Sequence, residues 1–164
     1  MINSLEKAEL VINRENADRF LESIVELDAA CFPLHPWDAG IWKGLFDHHR
    51  LLVYLALRQK QPVGLLAVSL LPLEAELLRF GVRQNVRRQS VGSGLLDGLV
   101  RELTRLSIAT LFLEVREDNR PACLFYRAKG FITVGKRKDY YCNPRSSALI
   151  LSYRVAQDNV PPRR

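Results

Sequence analysis

Cysteine is scarce in this chain of 164 residues, and the three present, Cys31, Cys123 and Cys142, are odd in number and far apart, with no C-x-x-C pair. They read as reduced thiols in a cytoplasmic protein and argue against a metal site. No apolar run approaches the roughly 20 residues a membrane-spanning helix needs. The opening segment, MINSLEKAEL, lacks the basic-then-apolar order of a secretory signal. There is no internal repeat and no low-complexity segment. Two common phosphate motifs are missing as well. No G-x-x-x-x-G-K-[ST] occurs, and no G-x-G-x-x-G is followed by an acidic residue about 20 positions later in a βαβ unit, which excludes a P-loop and a dinucleotide-binding turn. Basic residues are dispersed, with only KRK (136–138) clustered and no nucleic-acid motif around it, so nucleic acid is not the expected primary partner.

What remains is ordinary globular material, 48% hydrophobic and 26% charged. It suits one domain over residues 1–156, with a flexible tail at 157–164 where two prolines and two arginines cannot join a core. The net charge of +6 is unevenly spread: residues 1–48 carry −5 and residues 49–164 carry +11. Such a division fits a protein that meets a cationic partner on one side and an anionic one on the other. Alternation and helical spacing predict a strand at 8–13, a helix at 16–32 with apolar positions 17, 20, 21, 24, 27 and 30–31, and a short helix from Asp38 to His48. Two strands follow around a tight turn at Lys60–Gln61, then a strand at 74–82, a helix at 91–107 and a buried strand at 110–115. A helix at 119–130, capped by Asn119 and stopped by Gly130, precedes two last strands near 131–138 and 147–155. The order β–α–α–β–β–β–α–β–α–β–β predicts an α+β domain: a mixed, mostly antiparallel sheet flanked by helices.

Two stretches carry chemistry. In RRQSVGSGLL (87–96), two arginines precede small residues that open a helix. The arrangement suits a phosphate or pyrophosphate held by loop amides and guanidinium groups, and equally a plain turn with Ser90 as helix cap. In LFLEVREDNRPACLFYRAKGF (111–131), Leu111, Leu113 and Val115 face one side of a strand and Phe112, Glu114 and Arg116 the other. Glu114 is then either a solvated outward carboxylate or an acid–base group, and Tyr126 either core packing or a proton donor.

Together these stretches resemble the acyl-CoA signature of the GNAT N-acetyltransferases, and within them the RimI-like branch of ribosomal-protein alanine N-acetyltransferases. The likeness runs from about residue 74 to 141 and rests on E-V-R-x-x-N-x-x-A-x-x-x-Y-x-x-x-G-F. It implies acetyl-CoA as co-substrate, with no metal. Phe80, Gly81 and Val82 would pair with the pantetheine arm, and Arg87, Arg88, Gln89, Ser90, Val91, Gly92, Ser93 and Gly94 would form the pyrophosphate loop. Asn119 would contact the cofactor, Glu114 act as general base and Tyr126 as general acid; Trp37 and Tyr140 fall where the family receives an acceptor N-terminus. Ser90 stands where the family has its first glycine, and RSSALIL lacks the acidic residue usual before the last strand. A lysine or a small-molecule amine as acceptor, or a non-catalytic acetyl-CoA-binding module, stays open beside a protein N-terminus. Oligomeric state is not encoded in any motif.

Overall fold

The structure, a computed structural model, describes residues 8–47 and 50–156. Residues 1–7, 48–49 and 157–164 lie outside the described residues, and with them the expected helix end at His48 and the expected tail. Among the described residues, seven strands, β1 (Ala8–Ile12), β2 (Leu51–Arg58), β3 (Gln61–Leu71), β4 (Glu74–Val82), β5 (Thr110–Arg116), β6 (Ile132–Cys142) and β7 (Arg145–Arg154), are hydrogen-bonded in the order β1-β2-β3-β4-β5-β7-β6, and four α-helices accompany them. Each predicted element is present in the predicted order. The chain divides into two compact units, residues 1–70 with 79–101 and residues 71–78 with 102–164.

The first unit contains β1 (Ala8–Ile12), α1 (Ala17–Cys31), α2 (Ala39–Asp47), β2 (Leu51–Arg58) and β3 (Gln61–Leu71), with the end of β4 (Glu74–Val82) and most of α3 (Val91–Arg105). β2 pairs antiparallel with both β1 and β3. Residues 63–68 of β3 are buried one after another, as expected of a strand covered on both faces. The inward face of α1 holds Ala17, Ile24, Leu27 and Cys31, but Ala30 is exposed and Asp28 is buried instead. The tight turn lies one residue earlier than Lys60–Gln61. Gln59 and Lys60 have φ of 50° and 64°, and Gln61 pairs with Arg58. A two-residue hairpin turn of this hand needs two left-handed residues, and neither Gln nor Lys announces that preference.

The second unit contains the start of β4, the end of α3, β5 (Thr110–Arg116), α4 (Arg120–Ala128), β6 (Ile132–Cys142) and β7 (Arg145–Arg154). β4 pairs with β5 in parallel from Glu74↔Thr110 to Leu77↔Leu113, and β7 runs antiparallel to both β5 and β6. Leu111, Leu113 and Val115 of β5 are buried and the residues between them half-buried, the expected alternation. Helix α3 stops at Arg105, short of residue 107, because Ser107 turns left-handed (φ 57°) and Ile108 N–H reaches back to the Leu103 carbonyl. The last two strands extend further toward each other than 138 and 147, closing a long hairpin at Asn143–Pro144.

The left-handed pair at the β2–β3 turn is a place where the chain carries avoidable strain. Replacing Gln59–Lys60 with Asn–Gly should stabilise the fold by about 1–2 kcal/mol. At roughly 2–4 °C per kcal/mol for a chain of this size, a thermal melt should show a rise of several degrees. An unchanged midpoint would mean that the turn is not strained.

Candidate active site

In the first unit the site begins at the end of β4, with Phe80, Gly81 and Val82. A Cβ on Gly81 would lie 2.8 Å from Cys31 Cβ and 2.9 Å from the Phe32 ring, so only glycine lets β4 approach the end of α1 this closely. Beyond the strand, Arg83 N–H donates to the Val63 carbonyl at 2.9 Å and its guanidinium pairs with Glu26 at 3.0 Å. A short 3-10 turn (Gln84–Val86) leads into the loop.

The loop itself is shaped by backbone sign changes. Arg87 is extended at φ −63°, while Arg88 and Ser90 are left-handed at 59° and 61°. Left-handed residues among right-handed ones turn successive N–H groups to one side, the geometry of an anion-binding nest. Arg87 Nε donates to the Val82 carbonyl at 3.0 Å, tying the loop back to its strand. Gln89 accepts from Arg58 at 2.7 Å and donates to the Asn85 carbonyl at 3.3 Å. Val91 is buried under the first turn of α3, where Gly92, Ser93 and Gly94 are half-buried, and Gly94 N–H donates to the Ser90 carbonyl at 3.0 Å. Ser90 thus opens α3 through its carbonyl; its φ is not the extended backbone of an ordinary cap. The buried Cys31 thiol registers the local field: burial raises it above the usual cysteine range, while Arg87, Arg83 and Arg79 each pull it down.

Trp37 lies on the loop between α1 and α2. Its N–H donates to Asp28 Oδ2 at 2.6 Å, its ring meets Trp42 edge-on at 5.1 Å, and the Arg79 guanidinium sits 4.4 Å from its centroid. Asp28 and Arg79 were not among the expected site residues. The sequence signal for Asp28 is a carboxylate set between Leu27 and Cys31 on an apolar helix face; for Arg79 it is a lone cation in an apolar strand.

In the second unit, Glu114 sits in the middle of β5 with its side chain 25% exposed and Oε1 3.2 Å from Arg137 Nε. The Arg137 guanidinium also lies 5.3 Å from the Tyr140 ring, which is 48% exposed and packs edge-on against Tyr141 at 5.2 Å. Arg137 therefore joins Glu114 to Tyr140, two of the expected residues. Asn119 caps α4, accepting from Ala122 N–H at 3.3 Å, with Pro121 in the first turn as expected. Tyr126 is buried, its ring edge-on to Phe125 and Phe131. Burial, with a smaller push from Cys123, raises its hydroxyl far above the ordinary tyrosine range, so it stays protonated at any physiological pH. The loop after β5 is fixed by Arg116, which forks onto Asp118 at 2.8 and 2.9 Å and reaches the Pro144 carbonyl at 3.0 Å. Arg145, near the missing acidic residue, is neutralised by a two-point pair with Asp139 at 2.7 and 2.8 Å. Among the described residues, no three His, Cys, Asp or Glu side chains gather as metal ligands.

Residues 18–131 match the acetyltransferase (GNAT) family. The chain belongs to that family, which places it among the acyltransferases. It is 30% identical to the [ribosomal protein bS18]-alanine N-acetyltransferase of Haemophilus ducreyi over 145 residues, covering 80% of this chain and 97% of the relative. The protein of the same name from Escherichia coli K12 is 35% identical over 85 residues, 51% of this chain and 57% of the relative, so that match spans little more than half its length. The crystal structure of the ribosomal-protein-S18-alanine N-acetyltransferase from Escherichia coli shares the fold, with a TM-score of 0.81 at 24% identity over 93% of this chain and 97% of that one. So does Arabidopsis thaliana NAA60 in complex with acetyl-CoA, with a TM-score of 0.76 at 14% identity over 91% and 98%.

A left-handed serine is strained by about 1 kcal/mol relative to glycine. Ser90→Gly should therefore hold or raise the melting temperature and leave acetyl-CoA binding within a few-fold, read by thermal melts and titration calorimetry. Weaker binding would mean that the hydroxyl itself serves the phosphate. Gly81→Ala should do the opposite, lowering the melting temperature through its clash with Cys31 and Phe32.

Proposed function

We propose that this chain transfers an acetyl group from acetyl-CoA to the α-amine of a protein N-terminus, with an alanine-type ribosomal-protein N-terminus as the acceptor class. The observation that carries the reading is the backbone of residues 87–90, where left-handed Arg88 and Ser90 shape an arginine-flanked nest at the start of α3. The N-terminal alanine acetyltransferase relatives support the acceptor. The whole would act as one catalytic domain over residues 1–156 with a short tail after it, in a reducing cytoplasm that suits the free thiols of Cys31, Cys123 and Cys142.

When bound, acetyl-CoA supplies an activated thioester. The nest amides with Arg87 and Arg88 would hold its pyrophosphate, Phe80 to Val82 its pantetheine arm, and Asn119 a further cofactor contact. Backbone N–H near Val82 would polarise the carbonyl under attack. Glu114, reachable by water, takes the proton that the amine sheds. Tyr126, kept protonated by burial, gives a proton to the departing sulfur. Trp37 and Tyr140 receive the acceptor chain. An α-amine has a pKa of about 7.7–8.0 and lysine about 10.4, so neutral lysine is roughly 3.4 kcal/mol less accessible at a fixed pH. A single carboxylate base is matched to the α-amine.

Acetyl transfer to a panel of N-terminal peptides, α-blocked lysine peptides and polyamines, read by mass, tests the acceptor. Preferred transfer to free α-amines is expected, and preference for lysine or polyamine would overturn it. Glu114→Gln and Tyr126→Phe should each lower kcat by about 10²–10⁴-fold with acetyl-CoA affinity little changed. Raising the pH past the acceptor's own pKa should rescue the first, since solvent then supplies neutral amine, but not the second, whose deficit is protonation of the leaving group. Wild-type kcat in Glu114→Gln from pH 6 to 10 would place the base elsewhere.

A further inference from the structure

The segment from Phe32 to Trp37 contains two prolines and joins α1 to α2 without regular structure, apart from a bond from His35 N–H to the Phe32 carbonyl at 3.1 Å. Such a segment has few means of holding one shape. Here one ion pair supplies them. Asp28 is fully buried, and Arg79 Nε and Nη2 meet its two carboxylate oxygens at 2.7 and 2.8 Å. The same Nη2 donates to the His35 carbonyl at 2.6 Å, and the same Asp28 Oδ2 accepts from Trp37 N–H at 2.6 Å. The flat guanidinium is also flanked by rings at both ends of the segment, 3.8 Å from the Phe32 centroid and 4.4 Å from that of Trp37. Two side chains, one on α1 and one on β4, thus fix the loop at four points.

We propose that Asp28 and Arg79 are positioning residues for the acceptor: they preset the 32–37 loop so that Trp37 is in place before the acceptor arrives. The inference rests on the reading of Trp37 as an acceptor-side residue. Fork geometry is what the role demands. A guanidinium spans carboxylate and carbonyl at once while lying flat against two rings, and an ammonium does none of these together. Ordering the loop in advance removes an entropy cost from acceptor binding, so losing the clamp should appear in the acceptor's KM and not in that of acetyl-CoA.

The test must separate loop positioning from stability, because removing one partner strands a buried charge. Replacing the pair together, Asp28→Leu with Arg79→Met, restores an apolar interior that can fold as well as the original. The double variant is expected to melt near the parent temperature and keep its KM for acetyl-CoA. Its KM for an N-terminal peptide should rise at least about tenfold, and the amides of Phe32, Leu34, His35, Trp37 and Asp38 should exchange hydrogen at least about tenfold faster. Recovery of acceptor KM and slow exchange together with stability would overturn the proposal. Arg79→Lys, which keeps the charge, gives a second arm if the double variant is poorly folded. A several-fold rise in acceptor KM at unchanged acetyl-CoA KM supports the proposal, and an unchanged acceptor KM overturns it. If no peptide N-terminus proves to be an acceptor in the parent protein, faster exchange in the variants still supports the clamp while the acceptor assignment fails.

Discussion

A carboxylate with no exposure to water must be matched in full, and the first unit is arranged around that requirement. Transferring the Asp28 charge out of water costs several kcal/mol, and truncating a partner of such a pair costs about 3–5 kcal/mol. Asp28 is retained because Arg79 and the Trp37 N–H satisfy it with three bonds of 2.6–2.8 Å. Those bonds need the last turn of α1, the middle of β4 and the loop before α2 to occupy fixed places. The contact at Gly81, two residues further along β4, follows: a strand drawn this near to α1 leaves no room for a side chain facing Cys31 and Phe32.

Downstream of that fixed strand, the chain spends backbone strain to shape its loop. Arg88 and Ser90 each adopt a conformation that costs an L-residue about 1–2 kcal/mol. Arg87, bonded to the Val82 carbonyl, and Gln89, bonded to Arg58 and Asn85, hold the residues on either side of Arg88. Those flanking bonds keep the strain from relaxing and hold the shape on which the proposed phosphate nest rests.

The order of elements was legible because hydrophobic period and punctuation agree along most of the chain. β5 alternates without exception, and α4 carries a cap, a first-turn proline and a left-handed Gly130 at its end. What escaped the sequence was decided by tertiary context. Asp28 reads as a break in an apolar face because its partner lies 51 residues away. The turn at Gln59–Lys60 is set by strand register, which two polar residues do not reveal. In the candidate site, the motif singles out Glu114, Asn119 and Tyr126, while Arg137, which pairs with Glu114, sits in a basic run that reads as solvated surface. Ser90 was ambiguous for a related reason, since a serine before a helix suits a cap and its left-handed φ shows only in the folded loop.

The two groups assigned to proton transfer are given opposite surroundings within one unit. Tyr126 is packed among Phe125 and Phe131, where burial penalises ionisation and keeps the hydroxyl protonated. Glu114 alternates outward from the buried Leu113 and Val115, partly open to water and facing a guanidinium. Strand alternation places one group toward water and helix packing keeps the other from it, so the contrast on which the proposed acid and base roles rest comes from secondary structure.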